Sequence, residues 1–147
     1  MSGDHRPLHI FFFPFLAHGH IIPTVEMAKL FAAKGIKATI ITTPLNAPLI
    51  SKAIGKSKIL THSNEIHIQT IKFPSVEVGL PEGCENVDSL PSQESFPIFL
   101  RGPRVLQEPL EQLLHDQHPD CLIADPFHTW ITDSATKLRI PRIVFQG

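Results

Sequence analysis

Residues 10 to 26, IFFFPFLAHGHIIPTVE, constrain the fold more than any other stretch of the chain. The apolar run from Ile10 to Phe15 is too short to cross a membrane and too unbroken for a strand with one wet face. It reads as the buried central strand of a parallel sheet. The run breaks at Ala17-His18-Gly19-His20. From Ile21 onward, Ile21, Ile22, Val25, Met27, Ala28, Leu30 and Phe31 recur at roughly helical spacing, with Pro23 suited to a first turn and Glu26 near the positive end of the dipole. Strand, tight loop, helix is the pattern, and in open α/β sheets the carboxyl end of such a strand is where ligands bind. Two histidines flanking one glycine stand at that corner.

With 147 residues, 42% of them hydrophobic and 18% charged, the chain can bury one ordinary core. A net charge of -1 gives no electrostatic reason to expect nucleic acid or an anionic membrane as partner. Cys84 and Cys121 have no spacing that suggests a disulfide framework or a CxxC site, which favours a reducing compartment. The polar start MSGDHRPLH lacks a secretory pattern, and no apolar window is long enough for a transmembrane segment, so a cytoplasmic location is expected.

Further along, residues 36 to 42 predict a second strand rich in β-branched side chains, and residues 46 to 54 a helix. Gly55-Lys56-Ser57 imitates the end of a P-loop, but Ile50 stands where that motif needs glycine. Residues 65 to 71 alternate apolar and polar, which predicts a third strand near the sheet edge with His67 facing outward. A long proline- and glycine-rich loop follows to Pro91. Residues 92 to 115 have helical spacing divided by Pro97, Pro103 and Pro109, so a break near Gly102-Pro103 and a better helix to about Leu114 are expected. Residues 120 to 125 form a fourth, buried strand ending in a carboxylate, Trp130 to Leu138 a last helix, and Arg139 to Phe145 the start of a fifth strand.

In the strand order 3-2-1-4-5, the His18-Gly19-His20 corner and Asp125 share one sheet edge beside the reversal point. A histidine backed by a carboxylate is a general base, because the carboxylate fixes the tautomer and stabilises the imidazolium. The loop after the first strand contains neither serine nor cysteine, so the base acts on a substrate hydroxyl or on water, in a direct displacement. A dinucleotide site is disfavoured, since AHGHIIP has one glycine where the fingerprint needs three. A metal set drawn from His115, His118, Cys121 and Asp125 is scattered by the helix-to-strand change at Pro119, and a His18/His20 pair has no evident third ligand. His128 reads equally as a site-lining or a solvated residue.

Three segments, FPFLAHGHIIPTVEMAKLFAAKG, GLPEGCENVDSLPS and PDCLIADPFHTWITDSATKLRIPRIVFQG, resemble plant family 1 UDP-dependent glycosyltransferases, in order and at family spacing. The resemblance implies a Rossmann-like α/β fold: a parallel sheet with helices on both faces, forming the acceptor-binding N-terminal domain of a GT-B enzyme. Residues 1–147 are then an incomplete domain, and the C-terminal UDP-sugar-binding domain is expected to be absent from a truncated chain. It implies inverting transfer of a sugar, usually glucose, from a UDP-sugar to a hydroxyl of a small lipophilic acceptor such as a flavonoid, phenylpropanoid or terpenoid. His20 is the implied base and Asp125 its partner; His18 stands where many relatives have glutamine. Phe15, Ile21, Phe96, Phe99 and Phe127 are candidates for the acceptor pocket beside His18 and Gly19, and each reads alternatively as core. UDP-sugar enters as co-substrate, with no other cofactor and no metal expected. A chain lacking the donor domain is expected to be inactive alone. The alternatives are a non-catalytic aglycone-binding module and a hydrolase using the same pair on water.

Overall fold

A computed structural model describes residues 8–55, 66–126 and 130–145. Strand β1 (His9–Phe13) leads into helix α1 (His18–Ala32), followed by β2 (Lys37–Thr42), α2 (Ala47–Gly55) and β3 (Ile66–Thr70). A long connection reaches α3 (Phe96–Phe99), α4 (Arg101–Val105) and α5 (Gln107–Gln117), and then β4 (Cys121–Ala124), α6 (Ile131–Lys137) and β5 (Arg142–Val144). The strands pair in parallel in the order β3-β2-β1-β4-β5, as expected, with the reversal at β1.

Because successive residues of a strand face opposite sides, β1 feeds two cores. Phe11 and Phe13 pack with Leu110 and Leu114 of α5 and with Ile131 and Ala135 of α6. Ile10 and Phe12 pack on the other face with Ile21, Val25 and Ala28 of α1 and Ile50 of α2. Each fully buried phenylalanine contributes about 1.5–3 kcal/mol through the hydrophobic effect. The unbroken apolar run is thus a strand with helices on both faces. It is shorter than the sequence suggests, ending at Phe13, since Pro14 has no N–H to continue the ladder.

Helix α1 departs from expectation at its start. It begins at His18, so that Pro23 lies inside the helix and not in its first turn. The first bonds run from the His20 and Ile21 amides to the Ala17 carbonyl, both at 2.9 Å. Ala17 has no side-chain oxygen to cap the helix; the Asp88 carboxylate accepts from the His18 amide at 2.8 Å instead.

The prolines account for the broken helical region. A proline ring clashes with the carbonyl four residues earlier, which for Pro103 is Phe99 and for Pro109 is Val105. Helices α3 and α4 end at those two residues. The break expected at Gly102-Pro103 lies slightly earlier, at Leu100, and there is a second at Leu106. Gly102 is buried with the Phe73 ring against it: a Cβ there would come within 2.2 Å of the ring, and Phe73 itself stacks on Phe99 with ring centres 5.2 Å apart.

The long connection is fastened to the carboxyl edge of the sheet. The Val87 amide donates to the Leu16 carbonyl at 2.8 Å, and the Asn86 side chain donates to Asn46 Oδ1 at 2.8 Å. Asn46 in turn donates to Thr43 Oγ1 and to the Glu85 carbonyl. Both asparagines are buried, so these bonds offset the cost of removing their amides from water. At the edges of the sheet, His67 on β3 is exposed as expected, and Ile143 and Val144 on β5 are 53% and 56% exposed.

At the opposite end of β1, His9 Nε2 lies 2.7 Å from Thr39 Oγ1, and the His9 amide donates to Asp120. Burial, reinforced by Lys37, pushes the His9 imidazole down from 6.5 to about 4. Above pH 6.5 the ring is neutral whether the chain is folded or not. Between pH 6.5 and about 4 the unfolded chain binds a proton that the folded chain does not, so stability falls with acidification across that window. A His9→Gln variant is expected to lose this share of the acid sensitivity, seen as a smaller drop in Tm between pH 7 and pH 4 than in the parent chain. Independently, Gly102→Ala is expected to destabilise by about 1–3 kcal/mol through overpacking against Phe73, measured by urea denaturation; an unchanged midpoint would refute the contact.

Candidate functional site

Two strand ends build the site. The chain leaves β1 through Pro14 to Leu16, all buried, and turns at Ala17 into α1, which puts His20 in the first turn of the helix. On the neighbouring strand, Asp125 directly follows β4, and its amide points to the Phe13 carbonyl at 3.4 Å. The two side chains meet although 105 positions separate them: His20 Nδ1 is hydrogen-bonded to Asp125 Oδ2.

Their exposures differ. The Asp125 side chain is 2% exposed and that of His20 20% exposed, so the carboxylate is sealed away while the ring keeps an edge toward solvent. With the carboxylate accepting from Nδ1–H, the ring's lone pair is on Nε2. Such a pair can take a proton from a hydroxyl or from water. The Thr24 hydroxyl donates to the His20 carbonyl at 2.8 Å, and Phe15 lies edge-on to the imidazole with centroids 5.4 Å apart.

The remaining expected site residues separate into different places. His18 is exposed and faces Asp88, at 3.6 Å, not Asp125. Gly19 is exposed, and a Cβ added there would meet nothing within 4 Å. Ile21 is fully buried and belongs to the core beneath α1, so in this structure it has no surface for a ligand. Phe99 is also fully buried, between Phe73 and Phe15; it supports the ring that touches His20 and presents no face of its own. Phe15, 3% exposed, meets the site through its contact with the imidazole. These three were expected among the pocket candidates, and all are buried in the cores that flank the sheet, Ile21 on the α1 side and Phe15 and Phe99 on the other. Phe96 is half-buried and lines an open cleft of about 560 Å³ with Val87, Leu90, Ser92 and Gln93. The cleft wall includes the segment that bonds to Leu16 and caps α1. Phe127 and His128 lie outside the described residues.

No group of three or more His, Cys, Asp or Glu able to hold a metal ion occurs among the described residues. His115 and His118 end α5, whereas Cys121 begins β4 and Asp125 follows its far end, so the four do not converge. No helix among the described residues is long and apolar enough to cross a membrane.

Sequence reasoning missed two contributors. Asp88 caps α1 from 70 positions away, and local pattern cannot reveal such a cap. Arg142, the charged residue of β5, reaches the backbone of Asp125 through Nη2 at 2.9 Å. A lone arginine inside IPRIVF was the available signal.

No protein-family model matches the chain. Among curated proteins it is 59% identical over 140 residues to scopoletin glucosyltransferase of Nicotiana tabacum, covering 95% of this chain and 29% of that protein. It is 53% identical to anthocyanin 3'-O-beta-glucosyltransferase of Gentiana triflora, with the same two coverages. Among solved structures, Glycyrrhiza uralensis UGT73P12 complexed with glycyrrhetinic acid 3-O-monoglucuronide superposes with a TM-score of 0.82 at 36% identity, over 95% of this chain and 28% of that one. The chain therefore spans under a third of the length of the relatives it matches.

The cap makes a local prediction. Removing the Asp88 carboxylate takes the side-chain partner from the His18 amide, so Asp88→Ala is expected to cost about 0.5–2 kcal/mol, checked by thermal unfolding. Asp88→Ser, which keeps a capping oxygen, is expected to recover part of the loss.

Proposed function

Since the chain belongs to the plant UDP-glycosyltransferases, we propose that it forms the acceptor side of such an enzyme and supplies its general base. The observation that carries this reading is the His20–Asp125 pair, with its carboxylate buried and its ring edge exposed. In the proposed reaction, His20 Nε2 removes the proton from an acceptor hydroxyl as that oxygen attacks the anomeric carbon of a UDP-sugar. The new C–O bond forms on one face while the bond to the UDP oxygen breaks on the other, so UDP leaves and the anomeric configuration inverts. The proton remains on the imidazole, where the Asp125 carboxylate stabilises the charge.

The acceptor is proposed to be a small lipophilic plant metabolite with a hydroxyl group, of flavonoid, phenylpropanoid or terpenoid type, and the sugar to be glucose. The apolar walls of the cleft at Val87, Leu90 and Phe96 support that class of acceptor. Residues outside this chain are proposed to hold most of the UDP-sugar in a second domain, in keeping with the chain's 29% share of the scopoletin enzyme's length. On this reading the chain alone does not turn over. The same cleft favours a second reading, a module that binds aglycones without catalysis.

UDP-glucose turnover against a panel of flavonoid, coumarin and terpenoid aglycones decides between them, using this chain alone and joined to the C-terminal domain of a relative. Turnover is expected only in the joined form, falling by about 10²–10⁴ in kcat with His20→Ala, the range for loss of a general base. Joined enzyme that keeps its rate without His20 sinks the base assignment. Aglycone binding with no turnover in either form supports the binding module.

A further inference from the structure

Asp125 directly follows the last residue of β4. Among the described residues, the last ladder bond from β5 to β4 runs from the Phe145 amide to the Ala124 carbonyl at 3.1 Å, one residue short of Asp125. On the β1 side, the Asp125 amide donates to the Phe13 carbonyl at 3.4 Å. Arg142 reaches past that end. In register it pairs with Leu122, but its side chain extends along β4, where Nη2 donates to the Asp125 carbonyl at 2.9 Å and to the Ala124 carbonyl at 3.5 Å. Nη1 donates to Thr132 Oγ1 at the start of α6. One planar fork thus bridges the end of β4 and the helix that follows it.

This guanidinium is placed at a cost to stability. Its Nε is buried with no hydrogen-bond partner among the described residues. Burial pushes the group down from its ordinary range, while the neighbouring Asp125 charge opposes that shift. A buried donor left without a partner is a poor device for stability alone, and sites that need exact geometry are where such features persist. Arg142 also gives the sealed carboxylate a permanent positive neighbour, whichever protonation state His20 occupies.

We propose that Arg142 is a positioning residue, whose bonds to the Asp125 and Ala124 carbonyls and to Thr132 fix the Asp125 carboxylate so that it holds His20 in the Nδ1–H tautomer. The catalytic meaning of that tautomer rests on His20 acting as the base; the tautomer itself does not. The test is therefore made first on the 147-residue chain, by two-bond ¹H–¹⁵N spectroscopy of its labelled histidines. The neutral His20 ring of the parent is expected to be mainly Nδ1–H. Arg142→Met removes charge and fork together, Arg142→Lys keeps the charge without the fork, and Thr132→Val removes only the Nη1 partner. Arg142→Met and Arg142→Lys are expected to lower the Nδ1–H fraction at least twofold and Thr132→Val to lower it less, with the signals of His9, at the other end of β1, unchanged. A parent-like tautomer in Arg142→Lys overturns the proposal, because charge alone then suffices. If Arg142→Met does not fold, an unchanged tautomer in either of the other two variants overturns it as well. In the joined enzyme, Arg142→Lys is expected to lower kcat by about 10–10²-fold, as for a misplaced reacting group, with KM nearly constant. Loss of the tautomer with retained turnover would refute the base assignment and leave the positioning role standing.

Discussion

Parallel pairing of β1 on both sides, with β2 and with β4, is the constraint on which the rest depends. A strand flanked on both edges and covered on both faces must be apolar throughout, which the run IFFF satisfies at 8% exposure or less. The chain leaving it has only the carboxyl edge at which to surface, so the first polar residues after β1 gather there with those after β4. The meeting of His20 and Asp125 is a product of topology, and the hydrogen bond between them reports that β1 and β4 are neighbours in register.

How much of this was legible depends on how far each cause lies along the chain. The strands and their order could be read, because apolar runs and β-branched segments are local and the switch-point rule supplies the arrangement. That the His18-Gly19-His20 corner shares an edge with Asp125 was legible for the same reason, whereas the choice of His20 over His18 came from the family resemblance. The start of α1 was misjudged at Ile21 because the group that caps its first amide, Asp88, comes from the far end of a loop. The breaks before Pro103 and Pro109 were local and were partly seen; their positions follow from the carbonyl four residues back, not from the proline itself.

Aromatic residues were the hardest to place. Phe15, Phe96 and Phe99 looked alike in sequence, yet they differ in depth: Phe99 is enclosed, Phe15 touches the imidazole, and Phe96 walls the cleft. Helical spacing gives direction but not depth, and depth here is set by Phe73, which arrives from the connection after β3 to stack on Phe99. Arg142 illustrates the converse. Its register opposite Leu122 places it near the middle of β4, and only the length of the side chain brings it to Asp125.

The anchoring of the long connection to Leu16 and His18 has a consequence for the order in which the molecule assembles. The amide of α1's first residue is bonded to a residue 70 positions later, and the imidazole in its first turn to one 105 positions later. Closing loops of that size is entropically costly, and such contacts form after local helices and neighbouring strands. A chain emerging during synthesis thus has α1 long before it has a capped α1, and His20 long before it has a partner. Partly folded forms carry an ordinary surface histidine, and the His20–Asp125 pair arises only when β4 closes against β1.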